Sequence, residues 1–142
     1  MSGASDVPAW VVTVDRVHEL HAIAIETWGG SPGIRNVGCV DSSIGNSVQA
    51  ALYAMETDDE EPDLLVVAAY LLFYLARNHC YTDGNKRIAW LAFAEQIAVH
   101  GLDVDATQEE VVRFVLDVAE GTVPNADGVR NWVAPRLVAL PP

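Results

Sequence analysis

Residues 64–76 form a run of thirteen consecutive apolar residues, and this run limits the possible folds more than any other feature of the chain. A helix made of it is apolar on every side, which is typical of a helix buried at the centre of a protein. The run is shorter than the roughly eighteen residues that a membrane-spanning helix requires. The sequence therefore predicts a buried central helix, with Pro62 and Asp63 at its start and Arg77 in its last turn.

Apolar residues recur at helical spacing on both sides of this central helix. Thr13, Asp41 and Thr107 are suitable N-cap residues, and Thr107 opens a capping box with Glu110. We expect five further helices, over residues 14–28, 42–55, 85–100, 107–120 and 128–137. The predicted fold is therefore an all-α helical bundle.

One domain accounts for the 142 residues, of which 51% are hydrophobic. We expect residues 1–9 to form a flexible N-terminal tail, without the charged and apolar regions of a signal peptide, and residues 10–142 to form the domain. Residues 29–40 are rich in glycine and carry short apolar alternation after Pro32. They predict a loop that contains a small β-hairpin.

The net charge and the cysteines limit the partners and the location. The chain has a formal charge of −12 and eight Lys and Arg residues, whereas nucleic-acid binding depends on many cations. Cys39 and Cys80 are expected to be reduced thiols of a cytoplasmic protein, with Cys80 in a packing role. His18 and His21, three residues apart, could hold a metal, but a position on the helix surface or at the core edge is favoured because no third ligand accompanies them.

Residues 78–90, with the sequence N-H-C-Y-T-D-G-N-K-R-I-A-W, gather the parts of a phosphate-transfer site. Gly84 allows a tight turn before a helix, whose first free N–H groups attract an anion. Lys86, the only lysine in the chain, and the arginine after it add positive charge to an otherwise acidic protein. His79 can accept a proton near neutral pH, and Asp83 can hold magnesium. Each residue alone fits a structural role, such as a helix cap or a turn, so the prediction depends on the combination.

The segment from His79 to Arg87 resembles the signature of the Fic/Doc superfamily, H-x-F-x-[D/E]-x-N-[G/K]-R, with Tyr81 where phenylalanine is usual. Residues 29–35, G-G-S-P-G-I-R, resemble the G-G-x-P-G stretch ahead of the flap in the Doc branch. The resemblance covers roughly residues 12–137. It implies an all-α Fic/Doc-type bundle with a small β-hairpin flap.

The resemblance also implies a role for each motif residue. His79 would be the general base for a target hydroxyl, Asp83 the Mg²⁺ ligand, and Arg77 an assisting residue of the site. The nucleotide phosphates would bind at the start of the following helix, to Gly84, Asn85, Lys86 and Arg87. The flap would pair with an extended segment of a target protein. Its docking residues would be Ile34, Arg35 and Val37.

Two positions of the motif helix indicate which reaction the resemblance implies. In the branch that transfers AMP, glycine stands at the position of Lys86 and a second arginine at that of Trp90. The pattern here is similar to the Doc branch, in which the terminal phosphate of ATP is given to a threonine of elongation factor Tu and translation is arrested. The implied function is a toxin with protein kinase activity that uses ATP and Mg²⁺. An AMP transferase and a catalytically silent binding module remain as alternatives.

The chain lacks the inhibitory motif of self-inhibited Fic enzymes, [S/T]-x-x-x-E-[G/N] on a helix that blocks the nucleotide. Thr57 and Glu61 have the required spacing, but Pro62 fails the last position. The resemblance therefore implies inhibition in trans, by a small antitoxin protein that covers the site. No direct contact with nucleic acid or a membrane is expected.

Overall fold

The computed structural model describes residues 8–55 and 62–141 and contains six α-helices within them. In chain order the elements are α1 (Val14–Trp28), α2 (Cys39–Tyr53), α3 (Leu64–Arg77), α4 (Asn85–Ala98), β1 (Leu102–Val104), α5 (Gln108–Glu120), α6 (Ala126–Val133) and β2 (Leu137–Ala139). The predicted all-α bundle is confirmed, and the described residues also contain a small antiparallel sheet of two strands.

The helix α3 lies at the centre of the bundle, as its apolar run predicted. Asp63 caps it by accepting a hydrogen bond from the N–H of Leu65. The helix packs against α2, α4, α5 and α6. Its buried residues are Val66, Val67, Ala68, Ala69, Leu71, Leu72, Leu75 and Ala76. Because burying a Leu or Val side chain contributes about 1.5–3 kcal/mol, α3 gives a firm support to the loop that follows it.

The first helix is held against α4 by buried and surface contacts. The side-chain oxygen of Gln96 accepts from the N–H of Val12 at 2.8 Å, and its amide nitrogen donates to the carbonyl of Trp10 at 2.9 Å. Four residues further on, the guanidinium of Arg16 makes two hydrogen bonds to Glu95, at 2.6 and 2.7 Å. These contacts fix the start of α1 relative to the helix that follows the motif.

The helix α2 starts earlier than predicted. It begins at Cys39, because Gly38 adopts a left-handed conformation with φ +80° and serves as the N-cap. Asp41, which was expected to be the cap, lies in the first turn instead. Glycine adopts positive φ at no steric cost, so the chain can turn into the helix before it reaches the aspartate.

The C-terminal segment also differs from the prediction. The helix expected over residues 128–137 begins at Ala126 after the N-cap Asn125 and ends at Val133. A 3₁₀ turn, Ala134–Arg136, follows, because its proline lacks the N–H that continued helix formation needs. Leu137, predicted as helical, starts β2, which pairs in antiparallel register with β1.

In place of the β-hairpin expected within residues 29–40, the structure has two separate antiparallel pairings. Ile34 makes a single antiparallel bridge to Tyr81 in the loop after α3. The two-stranded sheet instead joins Leu102 to Ala139 and Val104 to Leu137.

A disulfide joins Cys39 to Cys80, so the expectation of two reduced thiols is wrong. The Cα atoms are 5.2 Å apart, within the usual range for a disulfide. The two residues are 41 positions apart in the chain, and folding brings them together because α2 packs along α3. The bond ties the start of α2 to the loop that carries the motif.

Two stretches that carried predictions are not covered by this description. Residues 1–7 of the expected tail and residues 56–61, with the Thr57 and Glu61 pattern, lie outside the described residues. In the described part of the chain, no helix combines the length and the apolar character that a membrane crossing requires.

Candidate active site

The loop between α3 and α4 carries the motif and ends at Gly84, the N-cap of α4, which has φ +77°. The N–H of Ile88 donates to the carbonyl of Gly84 at 3.0 Å and is the first hydrogen bond of the helix. The N–H groups of Asn85, Lys86 and Arg87 therefore have no acceptor inside the helix. Together with the helix dipole, these groups form a place where an anion such as a phosphate can bind.

The side chain of Asn85 braces the loop itself. Its oxygen accepts from the N–H of Tyr81 at 3.0 Å, and its nitrogen donates to the carbonyl of Tyr81 at 2.9 Å. Both ends of the amide are therefore engaged with one residue. This leaves the backbone N–H of Asn85 for the predicted role in phosphate binding.

His79 has an unusual backbone conformation and an exposed side chain. Its φ of +51° is the one positive value among the described residues other than glycine. Such a conformation costs on the order of 1–3 kcal/mol and is concentrated at functional sites. The carbonyl of His79 accepts from the side-chain nitrogen of Asn36 at 2.8 Å, and Cys80 is fixed by the disulfide. The backbone is thus held at the carbonyl of His79 and at the next residue, while the imidazole remains open to solvent.

Two backbone donors hold the exposed carboxylate of Asp83. One oxygen accepts from the N–H of Ser31 at 3.1 Å and the other from the N–H of Gly84 at 2.9 Å. These bonds, that of Ser31 foremost, lower the pKa of Asp83, because they stabilise its ionised form. Gly30 permits this approach, since a Cβ at that position would lie 2.8 Å from the Asp83 oxygen. The carboxylate is therefore ionised at neutral pH.

This carboxylate fits the magnesium ion that the sequence implied. Mg²⁺ prefers oxygen ligands and commonly binds through one or two carboxylates together with the phosphates of a substrate. Asp83 supplies an ionised carboxylate immediately before the anion-binding turn at Gly84. The donor set thus suits a metal that is held jointly by the protein and a nucleotide.

Residues 29–38, called the flap segment below, lie against the motif loop. The N–H groups of Arg35 and Asn36 donate to the carbonyl of Cys80 at 2.9 and 3.2 Å. The side chains of Ile34 and Val37 are 50% and 96% exposed. The three predicted docking residues, Ile34, Arg35 and Val37, are thus exposed on a segment bonded to the residue after His79.

The side chain of Arg77, which was expected to assist the site, contacts Pro124 and Phe73. Its guanidinium donates a long hydrogen bond, 3.5 Å, to the carbonyl of Pro124 and lies 5.1 Å from the ring centre of Phe73. These contacts lie toward the connection between α5 and α6. The assisting role of Arg77 in the site stays a prediction.

A groove of about 730 Å³ adjoins the start of α4. Lys86 and Arg87 lie along it, and the guanidinium of Arg87 stacks over the ring of Trp28 at 5.0 Å. The apolar residues that line it on the α5 side are Val111, Val112, Val115 and Leu116. The groove therefore combines positive charge with aromatic and apolar surface beside the anion-binding turn.

Two histidines of α1 reach the motif loop. His21 is 4% exposed and stacks on the ring of Tyr81, with ring centres 3.7 Å apart and planes 9° apart. Its Nε2 lies 2.8 Å from the carbonyl oxygen of Asp83. Nδ1 of His18 lies 2.7 Å from the hydroxyl of Tyr81.

These contacts extend what the sequence indicated for the two histidines. The sequence favoured a position on the helix surface or at the core edge for both residues, and the burial of His21 places that residue at the core edge. In the described part of the chain, no three His, Cys, Asp or Glu side chains gather into a metal site. The contact with Tyr81 was missed because nothing in the sequence tells which part of the chain α1 packs against.

Comparisons with known proteins extend the resemblance beyond the motif. Residues 11–97 match the model of the Fic/DOC family, a range that contains α1, α2, α3, the motif loop and nearly all of α4. The protein called Toxin Doc of Mycolicibacterium smegmatis is 38% identical over 93 residues, which are 66% of this chain and 68% of the relative. The protein called Protein kinase doc of Escherichia phage P1 is 32% identical over 78 residues, which are 55% of this chain and 58% of the relative. The chain therefore belongs to the Fic/Doc family, in its Doc-like branch.

Proposed function

We propose that this protein is the toxin of a toxin–antitoxin pair and acts as a protein kinase. It transfers the terminal phosphate of ATP to a hydroxyl side chain of elongation factor Tu and so arrests translation. The names of the two relatives, Toxin Doc and Protein kinase doc, support this proposal. The observation that carries it is the placement of an exposed, conformationally restrained His79 on the same short loop as the anion-binding turn at Gly84.

The proposed reaction follows from the groups on this loop. His79 accepts the proton of the target hydroxyl as that oxygen forms a bond to the γ-phosphorus, and the bond from this phosphorus to the leaving ADP oxygen breaks. Lys86, Arg87 and the free N–H groups of the first turn of α4 orient the phosphates and stabilise their charge. Asp83 holds the Mg²⁺, which when bound supplies further neutralisation of phosphate charge.

The surroundings of the motif helix favour transfer of the terminal phosphate over transfer of AMP. Lys86 occupies the position where the AMP-transferring branch has glycine, so its side chain fills space that is open there. Trp90 occupies the position of a second phosphate-binding arginine. It packs against Phe93 and Trp132, with ring centres 5.2 and 6.5 Å away, so aromatic surface replaces a cationic donor.

The proposed partners contact the same face. The flap segment offers the exposed apolar side chains of Ile34 and Val37 to an extended segment of the target. The antitoxin, a small protein, covers the site and keeps it inactive until it is removed. Expression of the chain alone is expected to arrest growth, and co-expression of the antitoxin to relieve the arrest.

A labelling experiment tests the reaction. The purified protein is incubated with elongation factor Tu, Mg²⁺ and ATP labelled at either the α or the γ phosphate. We expect label on the factor only from the γ position, loss of the label in His79→Ala, and retention in His100→Ala, a matched substitution in the turn after α4.

The other outcomes of this experiment would contradict the proposal in different ways. Label from the α position would establish AMP transfer despite Lys86 and Trp90. The absence of label from both positions, while His79→Ala and the wild type behave alike, would exclude kinase activity toward this target.

A further inference from the structure

Tyr81 is the buried anchor of the motif loop and carries a hydroxyl that phenylalanine, the usual residue of the family, lacks. The side chain is 2% exposed, so its hydroxyl needs a partner inside the protein. Nδ1 of His18 supplies that partner at 2.7 Å, across 63 residues of sequence. The ring of His18 also meets that of Tyr81 edge to face, with centres 5.6 Å apart.

The second histidine, His21, contacts the backbone of the motif loop at Asp83. A carbonyl oxygen can only accept a hydrogen bond, so Nε2 of His21 must carry a proton and donate it to the carbonyl of Asp83, 2.8 Å away. Its ring lies flat on that of Tyr81. Gly84 lies beside this contact, since a Cβ there would meet Nε2 of His21 at 3.4 Å, an ordinary van der Waals distance.

We infer that His18 and His21 are positioning residues of the active site: His18 holds the hydroxyl of Tyr81, and His21 holds the ring of Tyr81 and the carbonyl of Asp83. Tyr81 lies two residues after His79 and two residues before Asp83. A displacement of its ring therefore displaces both the general base and the metal ligand. The catalytic meaning of this inference rests on the proposed function, whereas the effect on the loop does not.

The hydrogen bond between His18 and Tyr81 predicts that the effects of substituting the two residues are not independent. His18→Leu removes the partner and leaves the hydroxyl of Tyr81 buried without a hydrogen bond, which is more damaging than removing both groups. Tyr81→Phe removes the hydroxyl and keeps the ring. The double variant His18→Leu with Tyr81→Phe should therefore be closer to the wild type than His18→Leu alone. Independent contributions would instead multiply.

Hydrogen exchange of the motif loop, followed by NMR, measures the positioning without any need for activity. The reporter groups are the N–H of Tyr81, bonded to Asn85, and the N–H of Thr82, bonded to Gly33 at 3.0 Å. We expect on the order of tenfold faster exchange in His18→Leu, about threefold in Tyr81→Phe, and about threefold in the double variant.

Two further variants serve as controls. His18→Asn keeps a polar atom at the position of Nδ1 and is expected to exchange within about twofold of the wild type. His100→Leu makes the same change as His18→Leu about 20 Å along α4 from the loop and is expected to leave the loop unchanged. Amides of α3 provide an internal reference for global stability.

Several results would overturn the inference. These are equal loop exchange in His18→Leu and His100→Leu, a double variant that exchanges about thirtyfold faster, or His18→Asn behaving like His18→Leu. Equal acceleration in α3 and in the loop would also overturn it, because the effect would then be global.

Kinetics test the catalytic meaning separately. In the labelling assay His18→Leu is expected to lower kcat about tenfold with the KM for ATP within about twofold, and His18→Asn to restore kcat. A wild type without any transfer would count against the proposed function, while the exchange pattern would still decide the role of the histidines.

Discussion

Unusual backbone conformations gather around this site. Gly30, with φ +117°, lies under the carboxylate of Asp83, and Gly84 starts α4 beside His21. His79 adopts positive φ without being glycine. For a residue other than glycine such a conformation persists only where surrounding contacts hold it, and at His79 the disulfide of Cys80 and the hydrogen bond from Asn36 do so. These contacts therefore fix the backbone at His79 and the carboxylate of Asp83.

Gly30→Ala tests the close approach to Asp83. The new Cβ would lie 2.8 Å from the Asp83 oxygen and 3.0 Å from a carbon of Ile25. Gly29→Ala is the matched control, because Gly29 also has positive φ, +91°, but a Cβ there would meet nothing within 4 Å. Both variants are destabilised by an alanine at positive φ. In Gly30→Ala the steric overlap costs about 1–3 kcal/mol more.

Urea unfolding measures the difference between these two variants. We expect Gly30→Ala to be the less stable by about 1–3 kcal/mol and to bind Mg²⁺ with nucleotide more weakly. Equal stability and equal binding in the two alanine variants would show that Gly30 serves only backbone conformation.

The lowered pKa of Asp83 predicts a pH dependence of stability. Its folded pKa lies below its usual value of 3.8, so the ionised carboxylate stabilises the fold above that value. The contribution is lost as the pH falls through the folded pKa. Urea unfolding of the wild type and Asp83→Asn should give a stability difference that is constant above about pH 5 and shrinks below about pH 4. A difference that stays constant down to pH 2 would contradict this linkage.

At the scale of elements, α1 connects the N-terminal segment to the motif loop of the candidate active site. His18 and His21 of this helix contact the motif loop. The start of α1 is anchored to residues near the end of α4. Gln96 makes the buried part of this anchor and is fully buried. Because α4 also begins at the anion-binding turn, this one helix supports both the turn and α1 with its two histidines.

Gln96→Leu tests that support. The variant has a similar volume but leaves the N–H of Val12 and the carbonyl of Trp10 without their partner, at a cost of about 1–3 kcal/mol for each buried group. We expect a loss of about 2–4 kcal/mol in the free energy of unfolding, measured in urea. Gln49→Leu, on the exposed face of α2, is the control and should stay within about 0.5 kcal/mol of the wild type. A loss below 0.5 kcal/mol in Gln96→Leu would show that the anchor is dispensable.

For the whole molecule, sequence periodicity predicted the elements that are built from local signals. The apolar run gave α3, and the capping box at Thr107 gave the start of α5, because both depend on neighbouring residues. The segment after Val133 was predicted less well, since Leu137 is drawn into β2 by pairing with Val104, which is distant in the chain. Local patterns cannot report such a partner.

The candidate site follows the same division. The motif located His79, Asp83 and Gly84 because they are close in sequence. The contacts that hold them come from α1 and the flap segment, about 50–60 residues earlier, and could not be read from the motif. Tyr81 was the one available signal, because a buried hydroxyl in place of phenylalanine requires a partner.

The disulfide gives the last prediction, since it links these distant parts covalently. It closes a stretch of 41 residues, and a crosslink of this length stabilises a protein by about 2–4 kcal/mol, chiefly by restricting the unfolded chain. Urea unfolding with and without a reductant should show this loss for the wild type and no response for Cys39→Ser with Cys80→Ser. Two titratable thiols in the folded, air-purified protein would contradict it.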